Sequence, residues 1–300
     1  MKKFLLLCMA MMLSSIGFAQ TTVPGVWAWN PSSTQANYFR AIMDQANQNQ
    51  KKYQFIFDSK PGAGGSIAAR HVADQTTVTL LGTGAGFFIR PQLFQNPGFS
   101  YDQFKPVHFM AAAPFALVSK DKDLKTIMAQ DKITIGTAGP GSTPHLFALK
   151  FKEFYPNKDI VLVPYKGTPE AVTDVLGGHI DMAWELLGDA EARNPRIVAI
   201  TGAQKVKNYP LLKDIGITNL GEQYAMHFIL VNKSTPDFVV AELREIFAEA
   251  DKGARVQELY KSDISSKPWN LRTAEDYQRW FNDRIRFYQA TTKGMQKIDN

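Results

Sequence analysis

The sequence predicts an α/β fold built on mostly parallel sheets. Short apolar runs alternate with helix-like stretches along most of the chain. Several of those runs end in loops rich in Gly, Ser and Thr that open the next helix. No repeat, heptad or low-complexity block interrupts the alternation. The 300 residues, 45% of them hydrophobic, argue against disorder and suffice for one large domain or two medium ones, with two as the starting expectation.

The elements read in order. The first twenty residues look like an export signal. Lys2 and Lys3 precede an apolar run over 4–13, and Gly17 and Ala19 supply the small residues before a cut after Ala19. That run is too short to span a bilayer, which needs about 20 residues. A strand is expected at 54–57, a helix at 67–74 and a strand at 78–81 that ends in Gly82-Thr83-Gly84-Ala85-Gly86. Further strands are expected at 133–136, 160–164, 181–184 and 197–200, with helices at 143–154 and 169–176. Pro236 at the first helical position opens a long amphipathic helix with Phe238, Leu243, Ile246, Phe247 and Ala250 on its apolar side. A last helix over 274–292 puts Tyr277, Trp280, Phe281, Ile285 and Tyr288 on one stripe, the usual mark of core packing.

Charge and chemistry exclude several function classes. The formal charge is +6, falling to +4 once Lys2 and Lys3 leave with the signal, and Lys and Arg never run longer than two. Such scatter argues against nucleic-acid binding. The single cysteine, Cys8, sits inside the signal, so the mature chain has no thiol and no disulfide. His71, His108, His145, His179 and His227 form no i,i+4 metal pair. No GxSxG elbow occurs, and neither glycine cluster completes a dinucleotide or Walker pattern. Ser142 and His145 could at most suggest a serine hydrolase, with loop hydrogen bonding the simpler reading. No catalytic residue, metal or cofactor is therefore expected.

Two loops read instead as anion sites. Gly139, Gly141, Ser142, Thr143 and Pro144 open the helix at 143–154, and Asn30 to Gln35 follow the first apolar segment. Glycines admit a ligand close to the backbone, and Ser or Thr caps expose the first N–H groups of a helix to a negative group. Two such helix starts facing across a cleft would grip a carboxylate. Trp27, Trp29, Phe87, Phe88 and Trp184 lie at expected strand ends. They suit an aromatic or extended apolar acid if they face the cleft, and core packing if they do not.

At this point the chain resembles a known family. Asp58-Ser59-Lys60-Pro61-Gly62-Ala63-Gly64-Gly65-Ser66-Ile67 is similar to the signature E-N-R-P-G-A-G-G-N-I. Val163-Pro164-Tyr165-Lys166-Gly167 and the stretch 173–182 are similar to V-P-Y-K-G and T-D-L-L-G-G-x-V-D-M, and 139–146 to G-x-G-S-x-x-H-L. These motifs, in order over nearly the whole mature chain, resemble the periplasmic solute-binding receptors of tripartite tricarboxylate transporters, the Bug receptors.

The resemblance implies a two-domain periplasmic binding protein of type II, a Venus flytrap with its ligand cleft between lobes. It implies a signal over 1–19, one lobe from 20–118 and 226–300, and a second from 119–225. It implies capture of a small carboxylated metabolite in the periplasm and delivery to membrane permease subunits, by a receptor that is usually a monomer. An exported sensor feeding a membrane kinase is the alternative. The implied ligand positions are Trp29, Asn30, Ser32, Ser33, Thr34 and Gln35 in the first loop, and Gly84, Ala85, Gly86 and Phe87 in the next. Gly139, Gly141, Ser142, Thr143 and His145 follow, then Tyr165, Lys166 and Gly167, and Glu185. The first loop departs from the family's P-F-x-x-G-G-x-x-D: Ser32 and Ser33 replace the glycines and Ala36 the acid. Glu185, where the family has Asp, reads either as a solvated helix-start carboxylate or as a group that needs a ligand ammonium, a ligand hydroxyl or a protein cation beside it.

Overall fold

The computed structural model describes residues 20–218, 220, 223–262 and 269–299. The expected signal over 1–19, with Cys8 and the cut after Ala19, lies outside the described residues.

Two five-stranded sheets organise the chain. The first has the order β2 (Tyr53–Ser59), β1 (Thr21–Trp27), β3 (Leu80–Gly84), β10 (Ala225–Asn232), β4 (Phe104–Ala113). The second runs β7 (Asp159–Pro164), β6 (Lys132–Thr137), β8 (Met182–Leu186), β5 (Phe115–Ser119), β9 (Arg196–Ile200). The two orders are equivalent. In each, one strand runs against its neighbours: β10 pairs antiparallel with β3 and β4, and β5 with β8 and β9. Each of these is the strand laid down when the chain enters that sheet from the other. It therefore begins where its neighbours end.

Crossing from β4 to β5 takes Pro114 alone. The expected lobe boundary after 118 thus cuts through β5, because the apolar run of β4 continues into β5 and hides the crossing. The return strand opens at Ala225, one residue before the expected 226.

Helices cover both faces of each sheet. On the first, α1 (Thr34–Asn49) and α8 (Asp237–Ala250) bury Phe39, Ile42, Leu243 and Phe247 against Trp27, Phe55 and Ile229. On its other face lie α2 (Ser66–Ala73), α3 (Gly86–Leu93) and α10 (Ala274–Thr291). There Phe88 stacks on Tyr288 at 6.0 Å. The second sheet is covered by α4 (Leu124–Met128) and α5 (Thr143–Phe154) on one side and by α6 (Thr168–Gly177) and α7 (Leu187–Arg193) on the other. A further helix, α9 (Ala254–Ser262), follows α8.

The two long C-terminal helices carry the expected stripes with one exception. Pro236 is the N-cap rather than the first helical residue, and Phe238 stands 72% exposed. The buried row is Val239, Val240, Leu243, Phe247 and Ala250, which leaves Phe238 just off it. Strand β4 escaped the sequence reading because Pro106 lies inside it. Proline is tolerated there because β4 is an edge strand, and the Pro106 carbonyl accepts from Arg244 Nη2 at 2.7 Å.

The far end of β10 is pinned by one buried side chain. Asn232 Nδ2 donates to the carbonyls of Gln75 and Thr77 at 2.8 and 2.9 Å, and to Ser234 Oγ at 2.7 Å. Its Oδ1 accepts from Thr79 N at 3.1 Å and Thr235 Oγ1 at 3.0 Å. Asn232→Ala would orphan these partners together. We expect a loss of roughly 2–4 kcal/mol in urea unfolding; a change under about 0.5 kcal/mol would show that the register of β10 is held elsewhere.

Candidate ligand cleft

In open α/β sheets, ligands sit beyond the carboxyl ends of strands, where strand order reverses. Here both sheets turn those ends toward each other. The reversal lies between β1 and β3 in one and between β6 and β8 in the other. A cleft of about 650 Å³ lies between the sheets at these positions. Its lining includes the N-cap residues of five helices: Ser33 of α1, Ala85 of α3, Ser142 of α5, Gly167 of α6 and Leu186 of α7. The first N–H groups of a helix have no intrahelical acceptor, and the aligned peptide dipoles make that end positive.

The first loop is held by its own polar atoms. Asn30 Oδ1 accepts from Ser32 N at 2.8 Å, and Ser33 Oγ donates to the Asn30 carbonyl at 2.9 Å while accepting from Ala36 N at 3.2 Å. Ser33 has a φ of −71°, and neither serine has a positive φ. The loop therefore takes Ser32 and Ser33 without left-handed backbone. The turn at 61–65 comes close from the same lobe. A Cβ on Gly64, whose φ is +62°, would lie 2.7 Å from the Pro140 carbonyl across the cleft.

Opposite, Ser142 is a cap and not a nucleophile in waiting. Its Oγ donates to the Gly139 carbonyl at 2.7 Å and accepts from His145 N at 3.2 Å, and its own N–H goes to the Gly139 carbonyl at 3.3 Å. His145 Nδ1 accepts from Gly141 N at 3.3 Å, and burial lowers the imidazole to about 4. The Ser142 hydroxyl proton thus goes to the Gly139 carbonyl, and His145 Nδ1 is taken by Gly141 N–H.

Glu185 is fully buried, so it is not the solvated helix-start carboxylate that the sequence allowed. It accepts from Thr168 Oγ1 at 2.6 Å, Leu186 N at 3.0 Å and Arg193 Nη1 at 3.1 Å. Arg193 is the protein cation that its charge requires. Thr168 and Arg193 both line the cleft, and Glu185 holds them from behind. Four residues before Arg193 on α7, Asp189 accepts from Thr34 Oγ1, a hydrogen bond that ties the two lobes across the cleft.

Of the expected ligand positions, Trp29, Asn30, Ser32, Ser33, Gln35, Gly84, Ala85, Gly139, Ser142, Thr143, Tyr165, Lys166 and Gly167 line the cleft. Six do not. Phe87 turns into the lobe core, stacked on Phe99 at 4.8 Å. Gly86 lies under the Trp29 ring, and Gly141 packs against Phe94 and Arg90. His145 and Glu185 sit behind the lining, and Thr34 spends its hydroxyl on Asp189. Of the five strand-end aromatics, Phe87, Phe88 and Trp184 are core residues; Trp27 borders the cleft floor fully buried, and Trp29 reaches it half-buried. The sequence reading missed Thr168, which directly follows the motif at 163–167, and Asp189, Arg193 and His227, which no motif marks. Among the described residues no group of three His, Cys, Asp or Glu could hold a metal, and no helix is long and apolar enough to cross a membrane.

Burial, followed by the nearby Asp189 charge, raises Glu185 from 4.5 to about 7, against the pull of Thr168 and Arg193. The folded chain then binds more protons than the unfolded chain between those values, so stability falls as pH rises from about 4.5 to 7. In urea titrations we expect the parent to lose stability over this window relative to Glu185→Gln. A difference independent of pH would mean that Glu185 is ionised throughout.

Comparison with known proteins places this geometry. A UPF0065 protein of Bordetella pertussis is 24% identical over 250 residues, covering 77% of this chain and 76% of that protein. The solved periplasmic binding protein BugD superposes with a TM-score of 0.82 at 21% identity, over 94% of this chain and all of that one. MatC of Rhodopseudomonas palustris, solved with bound malate, gives 0.80 at 19% identity over 93% of this chain and all of that one. These likenesses show a two-lobed solute-binding fold. The model of the tripartite tricarboxylate transporter family receptor matches residues 38–294, and the chain belongs to that family.

Proposed function

We propose that this protein is an exported, periplasmic receptor. It captures a small organic carboxylate in the cleft between its lobes and delivers it to the permease subunits of a tripartite tricarboxylate transporter. The observation that carries this reading is the convergence of five helix N-caps on one cleft, joined by Lys166 and Arg193. Such a surface offers N–H donors, positive dipole ends and two cations to an anion without any reacting group. Malate in the similarly folded MatC supports the choice of a carboxylate.

Closure about the ligand follows from the same arrangement. Donors come from both lobes, so one carboxylated molecule can be held fully only when the lobes approach. The Thr34–Asp189 hydrogen bond across the cleft supports an approach of that kind. Glu185 contributes by keeping Thr168 and Arg193 aimed at the ligand rather than by touching it.

A thermal-shift panel of dicarboxylates, tricarboxylates, aromatic acids and acidic amino acids tests the reading. A binding acid at about 100 times its Kd should stabilise the fold by about 2.7 kcal/mol. Arg193→Gln should weaken that acid at least about tenfold in calorimetry, since a charge-assisted hydrogen bond is lost. A panel in which sugars or metal ions shift the midpoint and no acid does would overturn the carboxylate assignment.

A further inference from the structure

The charged side chains of the cleft lining, Lys166, Asp189 and Arg193, all come from the lobe of the second sheet. The floor is different. It lies where the chain crosses between sheets, and Phe115, Ala225 and Met226 make it apolar. One polar ring interrupts it. His227 of β10 lines the floor half-buried, and neither ring nitrogen has a hydrogen-bond partner among the described residues.

The ring is deliberately housed. His227 pairs with Gly84 across the β10–β3 ladder, and a Cβ on Gly84 would come within 3.2 Å of the His227 Cδ2 and Nε2 atoms. Two residues earlier, a Cβ on Gly82 would lie 2.8 Å from Trp27 Cε3. Trp27, fully buried, backs the imidazole at 5.8 Å between ring centroids. The Gly82-Thr83-Gly84 pattern, which fits no nucleotide fingerprint, thus makes room for three rings: Phe39 and Trp27 over Gly82 and His227 over Gly84. Gly84 leaves the imidazole room to lie against β3, where it lines the cleft.

We infer that His227 is a specificity residue that hydrogen-bonds a neutral oxygen substituent, a hydroxyl or carbonyl, carried by the bound acid. The inference rests on the carboxylate reading of the cleft. Its chemistry follows from what the floor lacks. A polar nitrogen against apolar walls is costly once closure excludes water, so a ligand group must satisfy it. The apolar surroundings push the imidazole below its usual range, which favours the neutral ring with one donor and one acceptor. A second carboxylate would find no cation on this floor, whereas a hydroxyl or carbonyl oxygen finds its complement. A site built to hydrogen-bond a substituent discriminates strongly against the analogue without it.

Calorimetry with two matched pairs, malate with succinate and 4-hydroxybenzoate with benzoate, provides the test. In the parent protein, at least one pair should show about tenfold preference for the hydroxylated member. His227→Phe should reduce that preference to about twofold or less while leaving the unsubstituted acid within about threefold, and His227→Asn should keep part of it. His227→Leu repeats the test if the larger ring crowds Gly84. A preference that survives both apolar variants, or a parent that binds these acids without discriminating within either pair, overturns the role of His227 and leaves the carboxylate reading standing. A parent that binds none of the four acids, nor any acid of the wider panel, overturns both.

Discussion

A parallel strand needs a crossover helix before its next neighbour, and that helix starts at the strand's carboxyl end. Every such turn therefore brings free backbone N–H groups to the same edge of the sheet. In this protein the edges of two sheets face each other, and five helix starts meet at one cleft. The antiparallel strands β5 and β10 keep this possible. Because each begins at the crossing, the chain passes between sheets without turning either sheet's carboxyl edge away from the cleft. Remove that polarity and the caps, the cations and the floor no longer converge.

The electrostatics of the second lobe follow from the same seam. A carboxylate buried at a helix start is costly. Glu185 is tolerated because Thr168, Leu186 N and Arg193 all donate to it. Those contacts fix two side chains of the cleft lining in place, so a group behind the lining still shapes the cleft. Asp189 on the same helix reaches the other way, to Thr34 on the opposite lobe. One short helix, α7, thus carries both a cation of the cleft lining and the acceptor for the lobe contact.

Much of the architecture was legible in the residues. The parallel strands showed themselves as apolar runs with Gly-rich ends, and most boundaries moved by one to three residues. Two of the strands that were missed, β4 and β5, have physical reasons. Pro106 disguised β4, and the unbroken apolar run from β4 into β5 concealed a change of sheet at Pro114. The cap loops were legible too, because Ser33 and Ser142 advertise helix starts through local hydrogen bonds. Phe87 was not: Gly84 and Ala85, just before it, border the cleft, but its side chain joins the aromatic core.

The sequence by itself determined what depends on near neighbours: the alternation of strand and helix, the capping serines, the close-approach glycines and the family motifs. Tertiary structure decided what depends on distance along the chain. Arg193 became the partner of Glu185, Asp189 met Thr34 across 155 positions, and His227 came to lie on the floor beside Gly84. None of these carries a local signal, because burial and pairing are set by which strands lie side by side, and strand order is not written in any one segment.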